Sequence, residues 1–224
     1  MLDLSLKQTL RLIPDCGFLK DGQKHIIDIV GNDTIMYLAV TQGLLRYDLQ
    51  NNTIKYLQLG DDHRLGININ TLYKLHLGAN NRLWIGTTSG LFYFDNAFEI
   101  PTEFIKVEEL HNKVIFSIEE DFMGRLWLGT DFGLYSYSPT DSISLQFEKE
   151  DGLNSMEFNL GSSIEVSDGR LLFGTQGGIS SFDPVKIQKS KFDPEMVFSG
   201  VEITGKSGIR TINNTNIESI VIEP

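Results

Sequence analysis

The feature that most constrains the fold of this 224-residue chain is a short pattern that occurs four times. In each copy an apolar stretch leads into a small polar turn, a glycine and an aliphatic residue. The four turn glycines are Gly43, Gly90, Gly133 and Gly178. They are separated by 47, 43 and 45 residues. A period of this length predicts successive copies of one supersecondary unit, each packing on its neighbours.

Each copy contains the signatures of short β-strands. The stretches before the glycines read "TIMYLAV", "RLWIGTT", "RLWLGT" and "RLLFGT", and those after them read "LLRYD", "LFYFD", "LYSYSP" and "ISSFDP". Other β-branched and aromatic stretches flank them, and no segment keeps a helical period over about ten residues. Units of about four antiparallel strands are typical of β-propeller blades. We therefore predict an all-β partial propeller of four blades, the last without an outer strand from its own repeat.

The repeat also predicts which residues hold neighbouring blades together. Trp84 and Trp127 are expected between adjacent sheets, where large aromatic side chains contribute much of the buried apolar area. Tyr37 and Leu172 occupy the equivalent positions in the first and fourth copies. The turn glycines are expected to supply the positive φ angle that joins the two strands. All these residues are therefore predicted to be structural.

The repeats "NRLWIGTTSGL" and "GRLWLGTDFGL" resemble the two-component-regulator propeller repeat of large bacterial sensor proteins. The stretch "EDGLNSMEFNLGSSIEVSDGRLLFGTQGGISSFDPVKI" is similar to the last blade of those propellers. The stretch "PEMVFSGVEITGKSGI" that follows resembles the start of the Ig-like β-sandwich found after them. The resemblance extends from about Ile26 to the end of the chain.

The resemblance implies a division of the chain into three parts. Residues 1–24 would be the outer strand of an upstream blade, at residues 4–13, and a connection. Residues 25–187 would form the four blades, and residues 188–224 a linker and the truncated start of the Ig-like domain. Because propellers of this family have about seven blades, the chain is interpreted as a fragment from the end of a longer sensor.

The resemblance also implies a function. Family members are periplasmic sensor regions of inner-membrane proteins, and a transmembrane helix leads to a histidine kinase, a hybrid kinase or a diguanylate cyclase with a GGDEF domain. Their ligands are often glycan breakdown products. The chain is therefore expected to sense a small molecule or an oligosaccharide without catalysis. Its other expected partners are the remaining blades and the output domain.

Composition restricts the other partners. The net charge of −11 argues against binding to nucleic acid, which requires a basic surface. No apolar run approaches the roughly 20 residues of a membrane-spanning helix, so no direct membrane insertion is expected in this segment. An open arc of blades leaves an apolar face at each end and unpaired strand edges. We therefore expect self-association, or pairing of residues 4–13 with the last sheet as its missing outer strand.

The ligand is expected at the tips of the Thr-x-x-Gly turns, which combine a constant frame with variable residues. An exposed aromatic ring at Phe132 would stack on a sugar, or it would pack on a neighbouring loop. Glu157 and Asn159 in "SMEFN" would line the ligand face or hydrogen-bond the connection into the last blade. The complete set of candidate ligand-binding residues is Gln42, Ser89, Asp131, Phe132, Gln176, Glu157 and Asn159.

The sequence contains no recognisable catalytic motif. It has no Gly-x-Ser-x-Gly elbow, its histidines lack metal-ligand spacing, and its acidic clusters, such as "IEEDFMG", lack the spacing of a calcium loop and are interpreted as solvated turns. We therefore predict no catalytic residue, no metal and no cofactor. Two alternatives stay open: a propeller enzyme acting on glycans, as a lyase or a glycosidase, and a protein-binding scaffold.

Overall fold

A computed structural model describes residues 25–40, 43–57, 71–101 and 104–187, together with the backbone of residues 201–205 and 208–212. The chain divides into two compact units, Met1–Pro184 and Val185–Pro224. Three sequence predictions lie outside the described residues: the outer strand at residues 4–13, the turn residue Gln42 and the linker that begins at residue 188.

The first unit contains four consecutive antiparallel sheets, in which each strand pairs with the next one along the chain. The first sheet comprises β1 (Ile26–Gly31), β2 (Ile35–Val40), β3 (Gly43–Asp48) and β4 (Thr53–Leu57). The second sheet comprises β5 (Leu72–Leu77), β6 (Leu83–Thr87), β7 (Gly90–Phe94) and β8 (Ile105–Lys106).

The third and fourth sheets continue the same pattern. The third comprises β9 (Ile115–Glu120), β10 (Leu126–Thr130), β11 (Gly133–Ser138) and β12 (Ile143–Phe147). The fourth has three described strands, β13 (Phe158–Glu165), β14 (Leu171–Thr175) and β15 (Gly178–Phe182). The helical segments within the described ranges are two 3₁₀ turns, Glu108–Leu110 and Lys149–Asp151. The predicted all-β, propeller-like fold is thereby confirmed.

The sheets stack because the inner strands of the first three sheets bury both of their faces. Successive side chains of a strand point to opposite faces of the sheet. Leu126 and Leu128 of β10 pack in one core with Trp84 of the second sheet. Trp127 points the other way, and its ring centroid lies 4.7 Å from that of Phe182 in the fourth sheet. The first strands of the four sheets, β1, β5, β9 and β13, lie against one another in succession.

The two ends of the stack differ. The outward face of the fourth sheet carries Ile164, which pairs with Leu172, and Ile179; the two isoleucines are 57% and 66% exposed. Leu172 is only half-buried, because no described sheet covers the face that Trp127 buries in the third sheet. The outward face of the first sheet instead carries a buried cluster, formed by Leu38, Val40, Leu45 and Tyr47.

The described part of the second unit is a pair of strands. β16 (Val201–Gly205) pairs with β17 (Gly208–Ile212) in antiparallel register, with Val201 opposite Ile212. The assignment of this unit to an Ig-like domain stays a prediction.

Candidate ligand-binding face

One end of the sheets brings the variable turns and the inter-sheet connections together. The β6–β7, β10–β11 and β14–β15 turns lie at the same end of their sheets as the connections at residues 107–114 and 148–157. Asn112 N–H donates to the Ser89 carbonyl at 3.2 Å, and Val114 N–H donates to Asp131 Oδ1 at 3.4 Å. A connection therefore joins the turn of one sheet to the turn of the next. We call this end the turn face.

A buried threonine fixes the backbone of each described turn. The hydroxyls of Thr87, Thr130 and Thr175 donate to the carbonyl of the residue three positions on, at 2.9, 2.8 and 3.1 Å. In the first two turns the same hydroxyl also accepts from the N–H two positions on. The glycine that ends the turn has positive φ, for example +97° at Gly133. Sequence reasoning missed this role of threonine, although "GT" recurs before three of the turns.

Phe132 lies on the turn face with its backbone held and its ring free. Its N–H donates to Thr130 Oγ1 at 3.0 Å, and its carbonyl accepts from Gln146 Nε2 at 3.0 Å. The side chain is nevertheless 59% exposed, so most of the ring is not packed on a neighbouring loop. The adjacent Asp131 is also exposed. The third sheet thus presents an exposed aromatic ring on a hydrogen-bonded backbone, with a carboxylate beside it.

Ser89 is the exception among the predicted turn residues. It is 97% buried, at 3% exposure, and its hydroxyl has no hydrogen-bond partner. Its position lies below the surface of the turn face because the connection through Asn112 covers the turn. A ligand on the surface of this face would not contact Ser89 without a local rearrangement.

The fourth sheet places its candidates around the connection at residues 148–157. Gln176 is exposed, and its N–H donates to the Glu157 carbonyl at 3.1 Å. The side chains of Glu157 and Asn159 are exposed. Asn154, which the sequence did not single out, makes the side-chain contacts. Its Oδ1 accepts from Ser180 Oγ at 2.8 Å and lies 2.9 Å from Thr175 Oγ1, whose one hydrogen is shared between Asn154 and the Gly178 carbonyl.

Charged pairs join the first strands of neighbouring sheets away from the turn tips. Lys74 Nζ lies 3.1 Å from Asp28 Oδ2, and His76 Nε2 lies 3.2 Å from Glu120 Oε2. The hydrogen bond from His76 lowers the pKa of Glu120, against the opposing effect of burial. His76 and Glu120 lie near the ends of β5 and β9, at the end of the sheets opposite the turn face.

The part of the chain that the structure describes lacks two features. Within these ranges, no group of three or more His, Cys, Asp or Glu side chains is arranged to hold a metal ion. No helix in the same part of the chain is long and apolar enough to cross a membrane.

The chain is similar to a curated kinase and to solved extracellular domains. It is 27% identical to histidine kinase P4 of Formosa agariphila over 226 residues, which covers 79% of this chain and 16% of that protein. The extracellular domain of a protein described as a hybrid two-component system from B. thetaiotaomicron is 25% identical, with a TM-score of 0.58 over 70% of this chain and 21% of that domain. No model of a known family matches the chain.

Two further structures share the fold. A second extracellular domain from B. thetaiotaomicron, also described as part of a hybrid two-component system, is 20% identical with a TM-score of 0.65, over 81% of this chain and 24% of that one. A catalytically inactive virginiamycin B lyase from Staphylococcus aureus is 13% identical with a TM-score of 0.53, over 89% of this chain and 73% of that one.

These comparisons confirm the resemblance of the repeats to those of two-component sensor proteins. The chain is similar to the sensor regions of two-component systems. It spans 16% of the length of the curated kinase and less than a quarter of the two extracellular domains.

Proposed function

We propose that this chain is a non-enzymatic, ligand-sensing region of a membrane-bound signalling protein, positioned in the periplasm. A small molecule or oligosaccharide binds the turn face, and the response passes to a cytoplasmic output domain of the parent, a histidine kinase or a diguanylate cyclase. The observation that carries the proposal is the turn face itself, where a fixed backbone frame presents side chains that differ from sheet to sheet.

The similarity to histidine kinase P4 and to an extracellular domain of a hybrid two-component system supports the sensor role. In this proposal the remaining blades and the output domain belong to a longer parent protein. The periplasmic position is inferred from the similarity to an extracellular domain of a hybrid two-component system.

The chemistry of the third sheet supports a sugar-like ligand. The exposed ring of Phe132 offers an apolar surface, and the carboxylate of Asp131 and the amide of Gln146 flank it with hydrogen-bonding groups. A pyranose ring has an apolar face and a polar edge, which is the complement of this arrangement. Because the turn backbone is already held by Thr130, little ordering is required on binding.

The arrangement of charged groups supports binding rather than catalysis at this face. A glycan-cleaving site needs two carboxylates, or a comparable acid–base pair, converging on the substrate. The contact between His76 and Glu120 is an acid–base pair, but it lies at the opposite end of the sheets. The likeness to virginiamycin B lyase concerns the fold alone.

The test uses the full-length parent in membrane vesicles and a panel of neutral and acidic oligosaccharides of two to six sugar units. We expect at least one of them to change the rate of phosphotransfer or of cyclic di-GMP formation. Replacing the exposed ring, Phe132→Ala, should raise the concentration for half-maximal response at least tenfold, because the stacking surface is removed.

The matched control is Phe122→Ala. Phe122 is 72% exposed and lies in the β9–β10 turn, at the other end of the same sheet. Its replacement should leave the response unchanged. Equal effects of the two substitutions, or cleavage of an oligosaccharide that is lost in Phe132→Ala, would contradict the proposal.

A further inference from the structure

Three buried polar atoms without hydrogen-bond partners lie where the second and third sheets meet at the turn face. They are Ser89 Oγ, His111 Nδ1 and Tyr135 Oη. Ser89 and Tyr135 are 3% and 5% exposed. A buried polar group without a partner is unfavourable, and its presence in a native protein calls for an explanation.

The three atoms come from three different segments that one connection brings together. Ser89 is in the β6–β7 turn, His111 is in the connection at residues 107–114, and Tyr135 is in β11. A Cβ atom at Gly90, next to Ser89, would lie 3.5 Å from His111 Cα. Leu110, beside His111, packs in the same core as Tyr135.

The ammonium group of Lys113 lies close to Tyr135, one of these three residues. Lys113 Nζ lies 5.2 Å from the centroid of the Tyr135 ring, within range of a cation–π contact. Its ammonium group forms no ion pair in the part of the chain that the structure describes. The adjoining carboxylate, Asp131, accepts a hydrogen bond from Val114 N–H instead.

The group is rich in donors. The hydroxyls of Ser89 and Tyr135 both donate, an imidazole nitrogen donates in one of its tautomers, and an ammonium group only donates. A ligand that matches several hydrogen-bond donors and one positive charge is an oxyanion, because it accepts several charge-assisted hydrogen bonds. A neutral hydroxyl would satisfy fewer of these donors.

We propose that this junction binds the oxyanion of a small ligand, a carboxylate or a sulfate. Lys113 supplies the charge, and Ser89, His111 and Tyr135 donate hydrogen bonds. To admit the ligand, the long side chain of Lys113 moves off the Tyr135 ring and the connection at residues 107–114, which covers Ser89, shifts locally; Phe132 contacts the rest of the ligand. This inference rests on the proposed function, because it names the ligand class of the same face.

The remaining buried polar atoms without partners do not form such a group. They are Arg46 Nε, Ser117 Oγ and Ser163 Oγ, one each from the first, third and fourth sheets. Among the described residues, only at the junction do three such atoms come from segments that pack on one another, beside a lysine without an ion pair. The clustering therefore distinguishes this place from the rest of the unit.

Calorimetric titration of the full chain with glucuronate, glucose 6-sulfate and glucose tests the ligand class. We expect one acidic sugar to bind at least tenfold more tightly than glucose, and the comparison of the two acids identifies the oxyanion as carboxylate or sulfate. Lys113→Met should abolish the preference for the acid. Equal affinity for the three sugars, or no binding of either acid at millimolar concentration, would overturn the inference.

A second pair of variants separates binding from structural support. Tyr135→Phe removes a hydroxyl without a partner, so the affinity for the acidic sugar should fall at least fivefold while the melting temperature is unchanged or higher. The matched control is Tyr47→Phe in β3 of the first sheet, a buried tyrosine whose hydroxyl donates to Asn52 Oδ1 at 2.6 Å. It should lower the melting temperature and leave affinity unchanged. If Tyr135→Phe instead behaves like the control, the inference is wrong.

The failure of this inference is distinguishable from failure of the sensor proposal. A parent protein that responds to a neutral oligosaccharide, and keeps that response in Lys113→Met, would refute the oxyanion site and leave the sensor function intact.

Discussion

Single hydroxyl groups fix the frame on which the turn face depends. Thr130 is fully buried, and its hydroxyl bonds both the Gly133 carbonyl and the Phe132 N–H. Thr130→Val should lower the free energy of unfolding by about 1–3 kcal/mol, because both backbone groups lose their partner. Valine itself fits the position, since Val40 occupies the equivalent place in the first repeat and is buried. Urea denaturation measures the change.

The control for this prediction is Thr130→Ser, which keeps the hydroxyl and should retain most of the stability. The valine variant should also release the Phe132 backbone and weaken ligand binding. Equal stability of the valine and serine variants would show that the hydroxyl does not hold the turn.

The burial of Asp121 could not be predicted from the sequence around it. The sequence of the cluster "IEEDFMG" predicts a solvated turn. The segment does form a turn, but Asp121 is only 4% exposed. Its carboxylate accepts hydrogen bonds from Trp127 Nε1 and from the Arg125 side chain. An acidic residue beside a glycine is typical of exposed turns, and the burial depends on an indole from the following strand. The contact between Asp121 and the Trp127 indole depends on the fold and not on the local sequence.

At the scale of strands and connections, the sequence predicted the features that depend on local residue patterns. Alternating apolar residues and turn glycines specify the strands, so the four sheets and the three-stranded last sheet were predictable. The connection at residues 107–114 was not. Leu110 is fully buried there, and Asn112 and Val114 join two turns, but these contacts exist only once two sheets are in place. For the same reason Asn154 was missed, although Glu157 nearby was considered.

The contact between the second and third sheets should make stability depend on pH. His76 lowers the folded-state pKa of Glu120, so the contact contributes stability above the unfolded-state pKa, which is about 4.3 for glutamate. This contribution is lost as the pH falls through the lower, folded-state pKa. The advantage of the wild type over Glu120→Gln should therefore shrink on acidification below about pH 4.3.

Unfolding free energies between pH 6 and pH 3 measure this effect. Glu119→Gln is the neighbouring control, because it removes the same charge without removing the His76 contact. A Glu120→Gln curve that runs parallel to the wild type over the whole range would show that the pair does not contribute.

Among the described residues of the first unit, the fourth sheet has an exposed apolar face. Ile164 and Ile179 on the outward face of the fourth sheet are more than half exposed, whereas the cluster on the outward face of the first sheet is buried. Self-association through the fourth sheet therefore stays a prediction. Ile179→Asp should shift the chain toward monomer in light scattering over a dilution series, because burial of a charge in the contact is unfavourable.

The control is Ile143→Asp, at a residue that is 47% exposed on the outer strand of the third sheet. It should leave the association unchanged. A wild-type chain that is monomeric at every concentration would show that one exposed face is not enough to drive association.

The central claim is that the turn face receives the ligand. Hydrogen–deuterium exchange of the full chain, with and without an oligosaccharide to which the parent responds, tests it most directly. We predict slower exchange in residues 87–91, 107–114 and 130–134, and unchanged exchange in the opposite turns at residues 121–124 and 139–142. Protection confined to the opposite turns, or no protection at the turn face under saturating ligand, would contradict the claim.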